Sequence, residues 1–228
     1  MKNVYVFTFL ALIQFIAEPA VYSQKFTAGG KIGMGISSLS NWEYRSSGSE
    51  NKTRPRLVGL LVNLTGKYQF SDLLGLQAEF QYIQKGEGLK IAGSDKAAYK
   101  GKTRISYLTI PVLINVSHDF DKIVVYGVLG PYFGFGLSGK SISLEPYNGE
   151  KELKFGKGEL RRFDMGLSIG AGAGYRLGPG DVFLDLRYDL GFMDIYSTSD
   201  EDKGTNYKAT CNRSFCISVG YLIPLGKN

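Results

Sequence analysis

Residues 165–177 alternate without a break. Met165, Leu167, Ile169, Ala171, Ala173, Tyr175 and Leu177 share one parity, while Asp164, Gly166, Ser168, Gly170, Gly172, Gly174 and Arg176 share the other. A period of two is the repeat of an extended strand, whose successive side chains point to opposite faces. The run is long beside a soluble strand of about 5–6 residues, and it fits a tilted strand crossing a bilayer with some overhang. A face made largely of glycine is a poor soluble core. It suits the inside of a narrow barrel, where little room is left.

The same pattern recurs along the chain and predicts eight strands. Val182, Leu184, Leu186, Tyr188 and Leu190 oppose Phe183, Asp185, Arg187 and Asp189. Leu76, Ala78, Phe80 and Tyr82 oppose Gln77, Glu79 and Gln81. Val58, Leu60, Val62, Leu64, Tyr68 and Phe70 oppose Asn63, Thr65, Lys67 and Gln69. Leu108 to Val116 alternates against Tyr107, Thr109, Pro111 and Asn115, and Ile123 to Phe135 against glycine and tyrosine. Phe26, Ala28, Ile32, Met34 and Ile36 make the first strand; Phe215, Ile217, Val219, Tyr221 and Ile223 make the last. Pro111 and Pro131 fall inside these runs, where proline marks an edge or a bulge; in a closed barrel we expect bulges or local kinks there.

The connections separate a membrane barrel from a soluble sandwich. Short ones fall at 71–73, 118–121 and 178–180, and long polar ones at 38–55, 85–102, 138–160 and 194–212. Short and long alternate strictly, as expected when one rim faces the periplasm and the other the outside. Closure satisfies every strand edge, which hydrocarbon demands. The expected fold is therefore all-β: a closed antiparallel eight-stranded transmembrane β-barrel with short periplasmic turns and long extracellular loops. Tyr68, Phe70 and Tyr175 toward one rim, and Tyr82, Phe133, Phe135 and Phe192 toward the other, suit aromatic girdles.

Residues 1–23 have the form of a secretory signal peptide: Lys2, an almost wholly apolar stretch over 4–16, and Val21-Tyr22-Ser23 before a cut ahead of Gln24. The barrel domain is then 24–228, exported to the bacterial outer membrane. The formal charge of +6 is spread among acids with no run of five cations, which reads as solvated loops and argues against nucleic acid.

The inward parity carries the most informative polar set: Lys31, Lys67, Glu79, Asp164, Arg176, Asp185, Arg187 and Asp189. An eight-stranded interior is filled by side chains, and buried charges must pair. A structural plug is the leading expectation, with Arg187 against Asp185, Asp189 and Glu79. A narrow ion path and catalytic carboxylates are the competing ones. Cys211 and Cys216 form either a local disulfide or two free thiols, and their neighbourhood offers too few ligands for a metal. GFGLSG (134–139) matches GxGxxG, but a strand running into a polar loop is not a dinucleotide site. His118 is the sole histidine and lies in a short turn, so a histidine-based hydrolase is disfavoured. No cofactor is expected. Loop aromatics Trp42, Tyr44, Tyr147 and Tyr207 suit either a partner or the membrane rim.

Together the segments QAEFQYIQKG (77–86), YLTIPVLINV (107–116), YGVLGPYFGFGL (126–137), GAGAGYRLG (170–178), FLDLRYDLGFMDI (183–195) and SVGYLIPLG (218–226) resemble the PorT-type outer-membrane β-barrel family common in Bacteroidetes. The resemblance spans nearly the whole mature chain. It implies the barrel and not a function, because these are scaffold positions; PorT itself is linked to a secretion machinery, a role the resemblance does not carry over. The expected function is a non-enzymatic barrel in contact with outer-membrane lipid, acting as a structural or interaction component through its wall or extracellular loops, with a protein partner open. A narrow porin-like channel is the alternative, and a membrane-embedded hydrolase the weakest.

Overall fold

The computed structural model describes residues 25–40, 52–91, 99–145, 148–156, 159–197 and 208–225. The leader assigned to 1–23 and the aromatics Trp42, Tyr44, Tyr147 and Tyr207 lie outside them. The elements are β1 (Lys25–Leu39), β2 (Lys52–Thr53), β3 (Leu57–Gln69), β4 (Leu74–Ile91), β5 (Tyr99–Phe120), β6 (Ile123–Glu145), β7 (Gly149–Leu153), β8 (Phe163–Leu177), β9 (Gly180–Gly191) and β10 (Asn212–Pro224). Eight of them close a ring in the order β1-β3-β4-β5-β6-β8-β9-β10, every pair antiparallel, and β1 seals it by pairing with both β3 and β10. β2 and β7 are short additions to β4 and β6.

Alternation sets the facing of the wall. Ile32, Leu64, Phe80, Ile114, Leu129, Ile169 and Leu184 lie exposed on the outside, while Asn63, Thr65, Gln77, Asn115 and Ser168 are buried within. Apolar side chains outward and polar ones inward is the inverse of a soluble protein, and it is the arrangement that hydrocarbon selects. At the short-turn end, Asp121 and Gly178 take φ of 51° and 65° at the first turn position between β5 and β6 and between β8 and β9. Such tight turns need positive φ to match strand twist.

Two features depart from the sequence reading. First, much of what is expected as loop is strand. β4, β5 and β6 run 18, 22 and 23 residues, against 12 for β9. Their upper parts stand beyond the barrel as a sheet, flanked by β7. Second, the prolines mark gaps and not bulges. The β4–β5 register is the same on both sides of Pro111, as is the β5–β6 register on both sides of Pro131, with two pairings missing beside each. A proline lacks one donor, so it interrupts a ladder toward one neighbour without shifting it. The register shifts in β5–β6 come instead at Lys100/Gly101 and Ser106/Tyr107.

Candidate functional site

The glycine parity of β8 leaves no pore. A Cβ on Gly172 would lie 2.4 Å from the Tyr126 ring, one on Gly166 2.7 Å from the Tyr132 ring, and one on Gly174 2.4 Å from the Phe183 ring. The glycines are the seats on which large inward side chains of β6 and β9 rest. Above its short-turn end the lumen is consequently packed in layers.

At the short-turn end a cavity of about 760 Å³ is lined by Lys67, Gln69, His118, Asp119, Arg176 and Asp181 among others. Its floor includes Val124, Phe183 and Leu222, which belong to a buried apolar cluster with Leu113, Tyr126 and Val128.

Above that floor lies an ionic network centred on Glu79. Its carboxylate accepts from Arg187 Nη1 at 2.7 Å and Nη2 at 2.9 Å, from Lys31 Nζ at 3.2 Å, from Asn63 Nδ2 at 3.1 Å and from Gln77 Nε2 at 2.6 Å. Asp185 accepts from Tyr126 Oη at 2.8 Å and lies 3.2 Å from Lys31 Nζ and 3.3 Å from Arg187 Nη2. Two cations and two anions therefore share one desolvated site, with neutral donors filling the remaining lone pairs. Buried ions tolerate burial on that condition.

A second cluster is built around Lys85. Its ammonium is 3.7 Å from both Asp164 Oδ2 and Asp189 Oδ2, and 4.3 Å from the centre of the Tyr132 ring. Asp164 also accepts from Asn212 Nδ2 at 3.0 Å and Tyr132 Oη at 3.3 Å, and Asp189 from Ser168 Oγ at 2.6 Å. Over it sits an apolar cap of Leu61, Ile83, Ile105, Tyr107 and Cys216, into which the segment after β7 inserts Leu160, with Phe155 packed against it.

These positions distribute the predicted charges as follows. Lys31, Glu79, Asp185 and Arg187 meet in the first network. Asp164 and Asp189 belong to the second; Asp189 is thus not among the carboxylates bonded to Arg187. Lys67 stands apart, with Ser117 Oγ at 3.4 Å as its hydrogen-bond acceptor. Arg176 is exposed at the turn end and pairs with Asp119, so it does not belong to the lumen network. The parity of a strand residue gives its face but not its depth, which is why sequence groups these two with the rest. Sequence reasoning misses Lys85 because the clear alternation of β4 ends near Tyr82; Lys85 keeps the odd parity of Glu79 and simply continues the strand.

Cys211 and Cys216 are free thiols, both buried. Cys216 points into the lumen from β10 and Cys211 sits beside Ser40 just above the strand. Five rises of near-extended chain put their α-carbons roughly 16 Å apart, far beyond the span of about 4.4–6.8 Å between bridged α-carbons. Titration of the unfolded chain without reductant should count two thiols per molecule; a count of zero would require a rearranged upper strand. GFGLSG lies within β6, with no helix following it, so the dinucleotide reading has no structural support. His118 lies near the end of β5, its ring stacked edge-on to Phe120 at 4.6 Å.

Comparison with known proteins is consistent with this architecture. No curated protein matches the chain. Among solved structures, the outer membrane protein OprG from Pseudomonas aeruginosa is 14% identical with a TM-score of 0.51, covering 90% of this chain and 97% of that one. Ail of Yersinia pestis is 15% identical with a TM-score of 0.42, covering 87% and 99%. Neisserial surface protein A is 14% identical with a TM-score of 0.45, covering 88% and 97%. At such identities a likeness concerns fold alone, and here the OprG match is the one that carries it. Residues 22–197 match the family model described as outer membrane protein beta-barrel domain. With more than half of the chain inside that match, and with its wall apolar outward and polar inward, the protein belongs to the outer membrane β-barrel domain family and resides in the bacterial outer membrane.

Proposed function

We propose that this barrel is a closed, non-enzymatic component of the outer membrane that acts through its wall and its raised extracellular sheet. The observation that carries the reading is the filled lumen: an apolar floor, two ionic layers and an apolar cap lie in series. A continuous wet path would have to break both ion clusters and displace Leu160. The six segments quoted from the sequence favour a PorT-type member within the family. The sole histidine, stacked on Phe120 at the short-turn rim, offers no base near the outer mouth.

Planar-bilayer recording tests this reading. The wild-type barrel should give no conductance steps. Openings should appear once Phe155→Ala and Leu160→Ala loosen the cap and Glu79→Ala, Arg187→Ala, Lys85→Ala and Asp164→Ala break both ion clusters. Steady wild-type conductance would overturn the closed reading in favour of a narrow channel.

A further inference from the structure

Above the barrel, β4, β5 and β6 carry an outward face that is strongly cationic. Arg104 stands directly opposite Lys140, and Lys100 directly opposite Lys90, with Lys102 in the row between them. Like charges placed directly opposite on one face of a sheet repel and cost stability, and here it happens twice on three adjacent strands. Two carboxylates of this face stand on its β6–β7 side: Glu150 pairs with Lys140 at 2.5 Å, and Glu152 is the register partner of Lys140. In the β5–β6 register, Glu145 is the position opposite Lys100. Arg104 Nε is buried with no hydrogen-bond partner.

Depth gives this face its meaning. The outer wall of the same strands is apolar up to Ile110, Phe133, Phe135 and Leu137. The next outward groups are polar: Tyr82 Oη with Ser106 Oγ at 3.0 Å, and Gln84 Nε2 donating to Tyr82 Oη at 3.1 Å. This polar strip is where hydrocarbon gives way to headgroups. Arg104 lies two residues above Ser106, so with strands tilted by about 40° it stands roughly 5 Å higher, Lys102 roughly 10 Å and Lys100 roughly 15 Å. The first of these heights falls within the interfacial layer, which adds about 5–8 Å on each side of the hydrocarbon, and long cationic side chains reach down as well as up.

We propose that this face binds the phosphate-bearing headgroups of outer-leaflet lipid, Arg104 and Lys140 holding the phosphate nearest the hydrocarbon and Lys102, Lys100 and Lys90 the groups above it. The annular lipid on this side of the barrel is then a selected ligand. The inference rests on family membership and the geometry of β4–β6, not on whether the lumen conducts.

The test uses the full barrel refolded into phosphatidylcholine vesicles with and without lipid A. Barrel folding is checked for each variant by heat-modifiable gel migration. Lipid A retained on detergent extraction is counted by native mass spectrometry. The wild type should retain lipid A over phosphatidylcholine. Single changes Lys102→Ala, Arg104→Ala and Lys140→Ala should each weaken retention roughly five-fold, and the triple change about a hundred-fold. Lys122→Ala, at the opposite rim, should leave it unchanged. Equal retention by the triple variant and the wild type overturns the proposal. So does displacement of lipid A by inorganic phosphate at equal concentration, which would make the face a site for free anions.

Discussion

Glu79→Ala is expected to lower the unfolding free energy of the membrane-inserted barrel by ~3–5 kcal/mol, the size of loss found when one partner of a buried ion pair is removed. The carboxylate accepts five hydrogen bonds from Arg187, Lys31, Asn63 and Gln77. Without it Arg187 keeps Asp185 at 3.3 Å, which must also serve Lys31. Two cations then share one anion in a dry layer. Pairing Glu79→Leu with Arg187→Met should restore part of the loss, because both desolvation penalties go together. Urea unfolding from vesicles, read by tryptophan fluorescence and gel migration, gives the numbers. A loss below ~1 kcal/mol for Glu79→Ala would mean that the layer is hydrated, and the closed-lumen reading would weaken with it.

Gly33→Ala should do more: it should stop the barrel closing. A Cβ at this inward position would lie 2.0 Å from Ile217 O and 2.6 Å from the Ser218 α-carbon. Both are backbone atoms of β10, the strand that β1 must pair with to seal the ring, so no rotamer change relieves the clash. Gly30 lies three residues earlier on the same strand but on the outward face, where a Cβ meets Asn63 O at 3.6 Å. Gly30→Ala should therefore fold normally. The heat-modifiable form, present for Gly30→Ala and lost for Gly33→Ala, is the expected pair of results. A Gly33→Ala variant that migrates as a folded barrel would show that β1 and β10 can move apart.

What is legible in the sequence follows the solvent. Within the bilayer the two faces of a strand meet opposite environments, so Val182–Leu190 and Met165–Leu177 declare their faces by simple parity, and eight such runs give the barrel. Toward the outer mouth the outward face of β4 and β5 turns polar at Tyr82, Gln84 and Ser106, while the inward face carries Ile83 and Ile105 beside Lys85. The apolar-out, polar-in parity of the wall below no longer holds, so continued strand reads like loop, and Lys85 is lost for that reason. Depth is illegible for another. Lys67 and Arg176 share the inward parity of Lys31 and Arg187, but their layer is set by how far each strand is staggered against its neighbour. That stagger is a property of strand pairs, and no single run contains it. The pairing of Glu79 with Arg187, 108 residues apart, follows from the need to neutralise buried charge. The assignment of Asp189 to Lys85 requires the register.

The upper sheet changes how the molecule would respond to a pull. β6 has 23 residues and β9 has 12. With a rise of about 3.3 Å per residue and a tilt of about 40°, β6 stands roughly 60 Å tall and β9 roughly 30 Å. A flexible loop of that reach would slacken under load. Here the ladders of β4–β5 and β5–β6 run from the periplasmic turns into the raised part, through the proline gaps and two register shifts. A tug at the summit is passed down as shear along those ladders, so the protein behaves as a mast stepped in the membrane, and a bound object would tilt the whole cylinder before it stretched any part of it.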